Sequence, residues 1–284
     1  MKPRLVEVPA PDFNLDQTLG CGQVFHWRRH NAGWLGTVGA DPLYVESTSS
    51  GVRVPAGSEA LACRYFAFDL PLTEIYATFP QDPAMAAALG FCRGLRIVRQ
   101  PAWECLATFI TSAMKQVAHI AQISHTLRER YGTAVHWGNE TLFSYPSADR
   151  LAATSEAELR ECRLGFRAKN LFGAARMIAT GEVDLAKVNA LPDAEARAEL
   201  CRLPGVGEKV ANCALLFGFG RLRAFPIDVW IERVLRHLYF QKKRKVTARR
   251  LREFSADYFG EFGGYAQQYL FHHARLTWPR GQRS

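Results

Sequence analysis

The stretch Leu203-Pro204-Gly205-Val206-Gly207 constrains the fold more than any other part of the sequence. It lies between two stretches of helical periodicity, AEARAELCR and EKVANCALLFGF. Glycines two apart favour a tight turn, so the segment reads as helix, Gly-x-Gly turn, helix over about 196–218. With no side chains in the way, the turn can approach another backbone closely. The N-terminus of the second helix offers unpaired N–H groups to an anion such as a DNA phosphate, contacted through Gly205, Val206 and Gly207. Lys209 follows Gly207 by two positions. Taken alone it is either a solvated helix residue or a nucleophile.

The 284 residues carry 36 Lys and Arg against 27 Asp and Glu, a formal net charge of +9. Such an excess suits a polyanionic partner, foremost nucleic acid, although a merely basic enzyme fits the charge equally well. Hydrophobic residues make up 48% of the chain, ample for the core of one large domain or two modest ones. Seven cysteines (Cys21, Cys63, Cys92, Cys105, Cys162, Cys201, Cys213) form no Cys-x-x-Cys pair. That argues against a disulfide framework or a zinc site and for a reducing compartment. The segment MKPRLVEVPAPDF lacks the apolar centre of a signal peptide, and no stretch approaches the roughly 18 apolar residues of a membrane span. An intracellular, soluble protein is expected.

Two textures divide the chain. Short aromatic and β-branched runs broken by Gly, Asn, Asp-Pro and Ser, as in QVFHWRRHNAGWLGTVGADPLYVESTSSGVRVPAG, predict antiparallel strands and turns. From about Ser58 helical patterning takes over. Its strongest stretch is QPAWECLATFITSAMKQVAHIAQISHTLRERYG, with a proline near its start and Gly132 at its end. The fold class is therefore α+β, with a small antiparallel β-rich domain over about 1–95 and a helical domain over 96–284. The basic run KKRKVTARRLR, Lys242–Arg252, is either a solvated turn or a phosphate-facing patch.

Downstream of the hairpin, FPIDVWIERVL places Asp228 just before a helical pattern, where it reads as an N-cap. A carboxylate at a helix N-terminus is favoured in its charged form. It is thus also available to stabilise positive charge developing on a sugar, or to move a proton. A lysine and an aspartate in this relation to the hairpin favour the nucleophile reading of Lys209.

These segments together resemble the DNA glycosylases of the helix-hairpin-helix-Gly-Pro-Asp superfamily, and Lys209 falls at the position of the Schiff-base lysine of its strand-cleaving members. Within that superfamily four further segments, LGCGQVFHW, GLRIVRQPAWECLATFI, LGFRAKNL and YAQQYLF, resemble the 8-oxoguanine DNA glycosylase/AP lyase family in the same order along nearly the whole chain. The resemblance implies an antiparallel sheet domain packed on helical subdomains, acting on double-stranded DNA that contains an oxidised purine. It implies base flipping, attack by Lys209 and β-elimination. It places Gly22 where a backbone carbonyl accepts the N7 hydrogen that oxidised guanine has and guanine lacks. Cys213 and Phe271 fall where the flipped base is sandwiched, Gln267 where its pairing edge is read, and Gln23 near the sugar. No cysteine follows Cys213, so the four-cysteine iron–sulfur loop of the endonuclease-III-like branch has no counterpart. No metal, cofactor or membrane is called for, and a monomer is expected.

The match departs from the family on the opposite strand. Met114-Lys115-Gln116 replace three consecutive asparagines in the loop that fills the gap left by the base. His119 stands for an arginine that contacts the orphaned cytosine, and Phe166 for a wedge tyrosine, whereas the neighbouring Arg167 is kept. Two other readings stay open at this stage: a glycosylase of the same fold for alkylated or other damaged purines, and a non-catalytic DNA-binding hairpin protein. The altered residues predict a weaker preference for cytosine opposite the lesion than the family shows. Excision rates on duplexes that differ only in the opposite base should then differ little; a strong cytosine preference would count against it.

Overall fold

The computed structural model describes residues 4–112, 116–240 and 246–278. Met114, Lys115 and the basic cluster Lys242–Lys245 lie outside the described residues. The first unit is a five-stranded antiparallel sheet of β1 (Leu5–Pro9), β2 (Arg28–His30), β3 (Gly33–Val38), β4 (Asp41–Ser47) and β5 (Gly51–Pro55), in the order β1-β5-β4-β3-β2. Helix α1 (Leu15–Gly20) follows β1, and Asn14 caps it by accepting from the Gln17 N–H. Alternate strand residues Val8, Leu43, Val45, Val52 and Val54 turn inward onto Leu15, Leu19, Trp27, Tyr65 and Phe66. Trp27 satisfies its buried N–H on the Tyr65 hydroxyl at 2.9 Å.

The helical part runs through α2 (Glu59–Tyr65), α3 (Leu72–Ala77), α4 (Pro83–Cys92), α5 (Ala102–Ser112) and α6 (Val117–Tyr131). It continues through α7 (Ala148–Ala152), α8 (Glu156–Leu159), α9 (Arg167–Ala179), α10 (Leu185–Ala190) and α11 (Asp193–Leu200), then α12 (Glu208–Phe217), α13 (Val229–Val234), α14 (Ala248–Phe259) and α15 (Gly263–Thr277). Its core is continuous from α3 to α15. Helices α5 and α12 pack together at its centre, and α12 is buried at every position from Val210 to Phe217. Among the described residues no helix is long and apolar enough to cross a membrane.

Two sequence expectations are corrected. The long helical stretch ending at Gly132 is two helices, α5 and α6. The backbone at Gln116 is extended, with φ −75° and ψ 152°, and it ends the buried run from Glu104 to Ser112 before the exposed start of α6. The segment before Pro146 also holds a hairpin unforeseen in the sequence, β6 (Ala134–Trp137) and β7 (Glu140–Phe143). Its Trp137 stacks on Tyr44 of the main sheet with ring centroids 4.8 Å apart.

The sheet and the helices share a buried ion cluster. Glu104 in α5 and Arg128 in α6, 5% and 4% exposed, form an ion pair. Arg128 also donates to Thr37 Oγ1 of β3 at 2.9 Å and to the Phe143 carbonyl of β7 at 3.0 Å. His26 bonds the Thr37 carbonyl through Nε2 at 2.8 Å and faces Glu104 with Nδ1 at 3.5 Å. Burial, reinforced by the Arg128 charge, holds His26 neutral with its pKa well below the usual histidine range. Removing one member of such a pair leaves the other charge buried and uncompensated. Glu104→Ala is expected to cost about 3–5 kcal/mol in chemical denaturation, and adding Arg128→Met should recover much of it. A loss below about 1 kcal/mol in the single variant would remove the cluster from the fold's stability.

Candidate active site

The hairpin turn precedes α12. Gly205 has φ +78°, and a Cβ there would lie 2.7 Å from Asn170 Nδ2 and 2.8 Å from Asn170 Cβ, both on α9. Any side chain would collide with that helix, so the turn tolerates only glycine. Gly207 is open, and its carbonyl accepts from the Ala211 N–H at 2.9 Å to begin α12. Val206 is buried as the turn's apolar anchor. Gly205, Gly207 and Glu208 are exposed around the buried Val206, and a helix start carries N–H groups with no partner inside the helix.

Lys209 lies in that first turn. Its Nζ is 5.2 Å from the centroid of the Phe109 ring on α5. One helical turn on, Cys213 is 3% exposed, and burial pushes its thiol up to about 11, against the opposing pull of the Lys209 charge. Asp228 caps α13, its Oδ1 accepting from the Ile231 N–H at 2.8 Å. Burial raises the Asp228 carboxyl above the usual aspartate value; the Ile231 N–H, the Lys209 charge and further backbone N–H groups oppose it. Lys209, Cys213 and Asp228 thus form one electrostatic group, assembled from the start of α12 and the cap of α13.

A second wall comes from the start of the chain and its last helix. Gly22 has φ +87°, and a Cβ there would lie 3.2 Å from Arg275 Nη1, 3.6 Å from Phe271 Cε1 and 3.9 Å from Val117 Cγ2. Helix α15 holds this loop through two side chains: Gln268 donates to the Cys21 carbonyl at 3.1 Å and Arg275 to the Gly20 carbonyl at 2.8 Å. Gln267 is 4% exposed, and its Oε1 is buried with no hydrogen-bond partner among the described residues. A buried acceptor left in this state is costly unless a donor arrives with a ligand. The two walls meet electrostatically, since Asp228 acts on the Arg275 charge, and α13 packs on α15.

Gln23, expected near the sugar, directly follows Gly22 and is fully buried. Its amide nitrogen donates to the carbonyls of Thr18 at 2.9 Å and Arg96 at 2.8 Å, and its oxygen accepts from the Val98 N–H at 2.9 Å. With every polar atom engaged and no exposure, it staples the Gly22 loop to the segment joining sheet and helices. Gln116 and His119 are exposed at the start of α6, next to Val117. Phe166 is 67% exposed at the start of α9, and the Arg167 guanidinium lies 4.3 Å from its ring centroid. The described part of the basic run is partly neutralised: Arg249 and Arg250 pair with Glu253, and Arg252 with Glu208 of α12 at 2.9 Å.

Sequence reasoning missed Phe109, Gln268 and Arg275. Arg275 had a usable signal: with Gln267 and Phe271 it falls at steps of four along one helix face.

Residues 5–106 match the family model "8-oxoguanine DNA glycosylase, N-terminal domain", and residues 107–256 match "HhH-GPD superfamily base excision DNA repair protein". A probable N-glycosylase/DNA lyase of Methanothermobacter thermautotrophicus is 30% identical, the match covering 96% of either chain. The structure of Clostridium acetobutylicum 8-oxoguanine glycosylase/lyase with double-stranded DNA containing cytosine opposite 8-oxoguanine superposes with a TM-score of 0.88 at 29% identity, covering 97% of this chain and 99% of that one. A structure of MBOgg1 with a low-affinity DNA ligand gives 0.89 at 30% identity, with the same coverage. The chain belongs to the HhH-GPD superfamily of base excision DNA repair proteins and, within it, to the 8-oxoguanine DNA glycosylase family. It is an enzyme of DNA repair.

Asp228→Asn separates charge from capping. The amide oxygen can still accept from Ile231, so stability should change by less than about 1 kcal/mol. Single-turnover base excision should drop at least about tenfold. Because the Asp228 carboxyl is raised, wild-type excision should begin to fall, on going acid, at a pH above the ordinary aspartate value of 3.8, and the variant should lack that limb. Coincident acid limbs in both proteins would relieve Asp228 of this role.

Proposed function

We propose that the chain is a bifunctional glycosylase and AP lyase that excises 8-oxoguanine from duplex DNA. The observation that carries this reading is the placement of Lys209, beside Asp228 and Cys213, in the first turn of the helix that the Gly205–Gly207 hairpin begins. A duplex held by its backbone at the turn brings a flipped nucleotide to the lysine with no change in the protein's topology.

The steps follow from the residues present. Deprotonated Lys209 Nζ attacks C1′ of the flipped nucleotide, the C1′–N9 bond breaks, and its electron pair leaves with the base. The Asp228 carboxylate stabilises the positive charge that develops on the sugar. Ring opening gives a Schiff base between Nζ and C1′. This acidifies the C2′ proton, whose loss expels the 3′ phosphate and cuts the strand. Cys213 and Phe271 take the two faces of the base. The orphaned Oε1 of Gln267 supports a reading of the base's pairing edge, where a donor would satisfy it. Gly22 is assigned the N7 hydrogen, because a carbonyl repels the lone pair that guanine carries at N7. The work divides near residue 95 between a sheet unit that brings Gly22 and a helical unit that brings the chemistry. Phe166 and Arg167 are assigned to the gap in the duplex, with Gln116 and His119 toward the opposite strand.

Borohydride trapping tests the reading. Duplex DNA with 8-oxoguanine should give a covalent complex with the wild-type enzyme and none with Lys209→Gln. Trapping only on alkylated-purine DNA would move the enzyme to another lesion class. Salt-sensitive binding with no base release from either substrate would leave a DNA-binding protein without this chemistry.

A further inference from the structure

Arg275 does nothing in the scheme above, yet its guanidinium lies in the base site. Nη1 is 3.2 Å from the point where a Gly22 Cβ would stand, and the guanidinium carbon is 5.5 Å from the Phe271 ring centroid. Nη2 is fixed by the Gly20 carbonyl at 2.8 Å and by His272 Nδ1 at 3.2 Å. A guanidinium can only donate, so Nδ1 of His272 must be the acceptor. That requires a neutral imidazole, and burial, with help from the Arg275 charge, holds the His272 pKa down at about 4. Nε of Arg275 is buried with no partner among the described residues. Among those residues it has no ion pair; its electrostatic neighbours are the Cys21 thiol and Asp228. A partly buried cation that keeps free donors beside the base-contacting residues is costly to the scaffold and suits an incoming acceptor.

We propose that Arg275 is a specificity residue of the base site: its guanidinium donates to the carbonyl edge of the flipped oxidised purine and stabilises that base as it leaves. The proposal rests on the glycosylase reading above. Oxidised guanine has two ring carbonyls, at C6 and C8, whereas guanine has one. A donor-only group rewards the extra acceptor and meets an exocyclic amine with repulsion. When the C1′–N9 bond breaks, its electron pair goes to the purine, which delocalises it onto those carbonyl oxygens. The base then takes up the proton that Lys209 releases on forming its bond to C1′. Charge on the base therefore grows along the reaction, and a fixed guanidinium binds the late stage more tightly than the ground state. Spacing fits the assignment, because Gln267, Phe271 and Arg275 lie on successive turns of one face of α15.

The test compares base release with strand cleavage in Arg275→Leu and Arg275→Lys. On 8-oxoguanine duplexes under single-turnover conditions, Arg275→Leu should release base between about tenfold and a hundredfold more slowly, the range for a lost charge-assisted hydrogen bond. Arg275→Lys, which keeps a donor and the charge, should recover part of that rate. On a duplex with a preformed abasic site there is no base to contact, so cleavage and borohydride trapping should stay within about twofold of wild type in both variants. Equal losses on the two substrates would show that Arg275 only braces the Gly20 loop and would overturn the proposal. So would an unchanged rate of base release in Arg275→Leu. A wild-type enzyme that releases no 8-oxoguanine would instead sink the glycosylase reading, and this proposal with it.

Discussion

Arg128 touches three separate pieces of chain from one buried position. It pairs with Glu104 of α5, donates to Thr37 of β3 and to the Phe143 carbonyl in the β6–β7 hairpin, and covers the Tyr145 ring at 5.4 Å. A buried guanidinium is expensive to desolvate, and its position is tolerable only with all of these partners in place. That requirement fixes the sheet against the helices more narrowly than apolar contact does, since a greasy surface slides more easily than a fork of directed donors. The Gly22 loop lies in the sheet unit and Lys209 in the helical unit, so the geometry of the candidate site inherits whatever precision this junction has.

The site itself follows an economy of helix ends. Lys209 sits in the first turn of α12, Asp228 caps α13, and Phe166 precedes α9. Helix starts expose N–H groups and partial positive charge, which is where a phosphate backbone and carboxylates are both welcome. The interior of α12, by contrast, is buried and apolar except for Asn212, and its packing on α5 anchors the lysine. Lys209 and Asp228 thus stay at the rim of a buried core without loosening the scaffold.

Much of this was legible in the sequence. The hairpin announced itself through two glycines and flanking periodicity, Asp228 through its position before a helical pattern, and the sheet through alternating strands and turn residues. Other features were hidden for physical reasons. The break between α5 and α6 falls inside a continuous helical pattern, because both halves have apolar faces and only tertiary burial distinguishes them. The β6–β7 hairpin is four residues a side, too short for period-two alternation to stand out, although Gly138-Asn139 marks its turn. The bracing role of Gln23 was hidden, since sequence gives no sign that backbone groups of Arg96 and Val98, 73 and 75 positions on, claim its amide. Arg275 went unnoticed because it lies in the last turn of α15, where cations are common for reasons unrelated to chemistry.

Residues from near the two ends of the described chain meet in one wall of the candidate site. Gln268 and Arg275 reach back 247 and 255 positions to hold the carbonyls of Cys21 and Gly20. During synthesis the sheet, the hairpin and the lysine all leave the ribosome before α15 does. The loop that presents Gly22 stays untethered until then. The wall made by Gly22, Gln267 and Phe271 is therefore completed last, after the hairpin and Lys209.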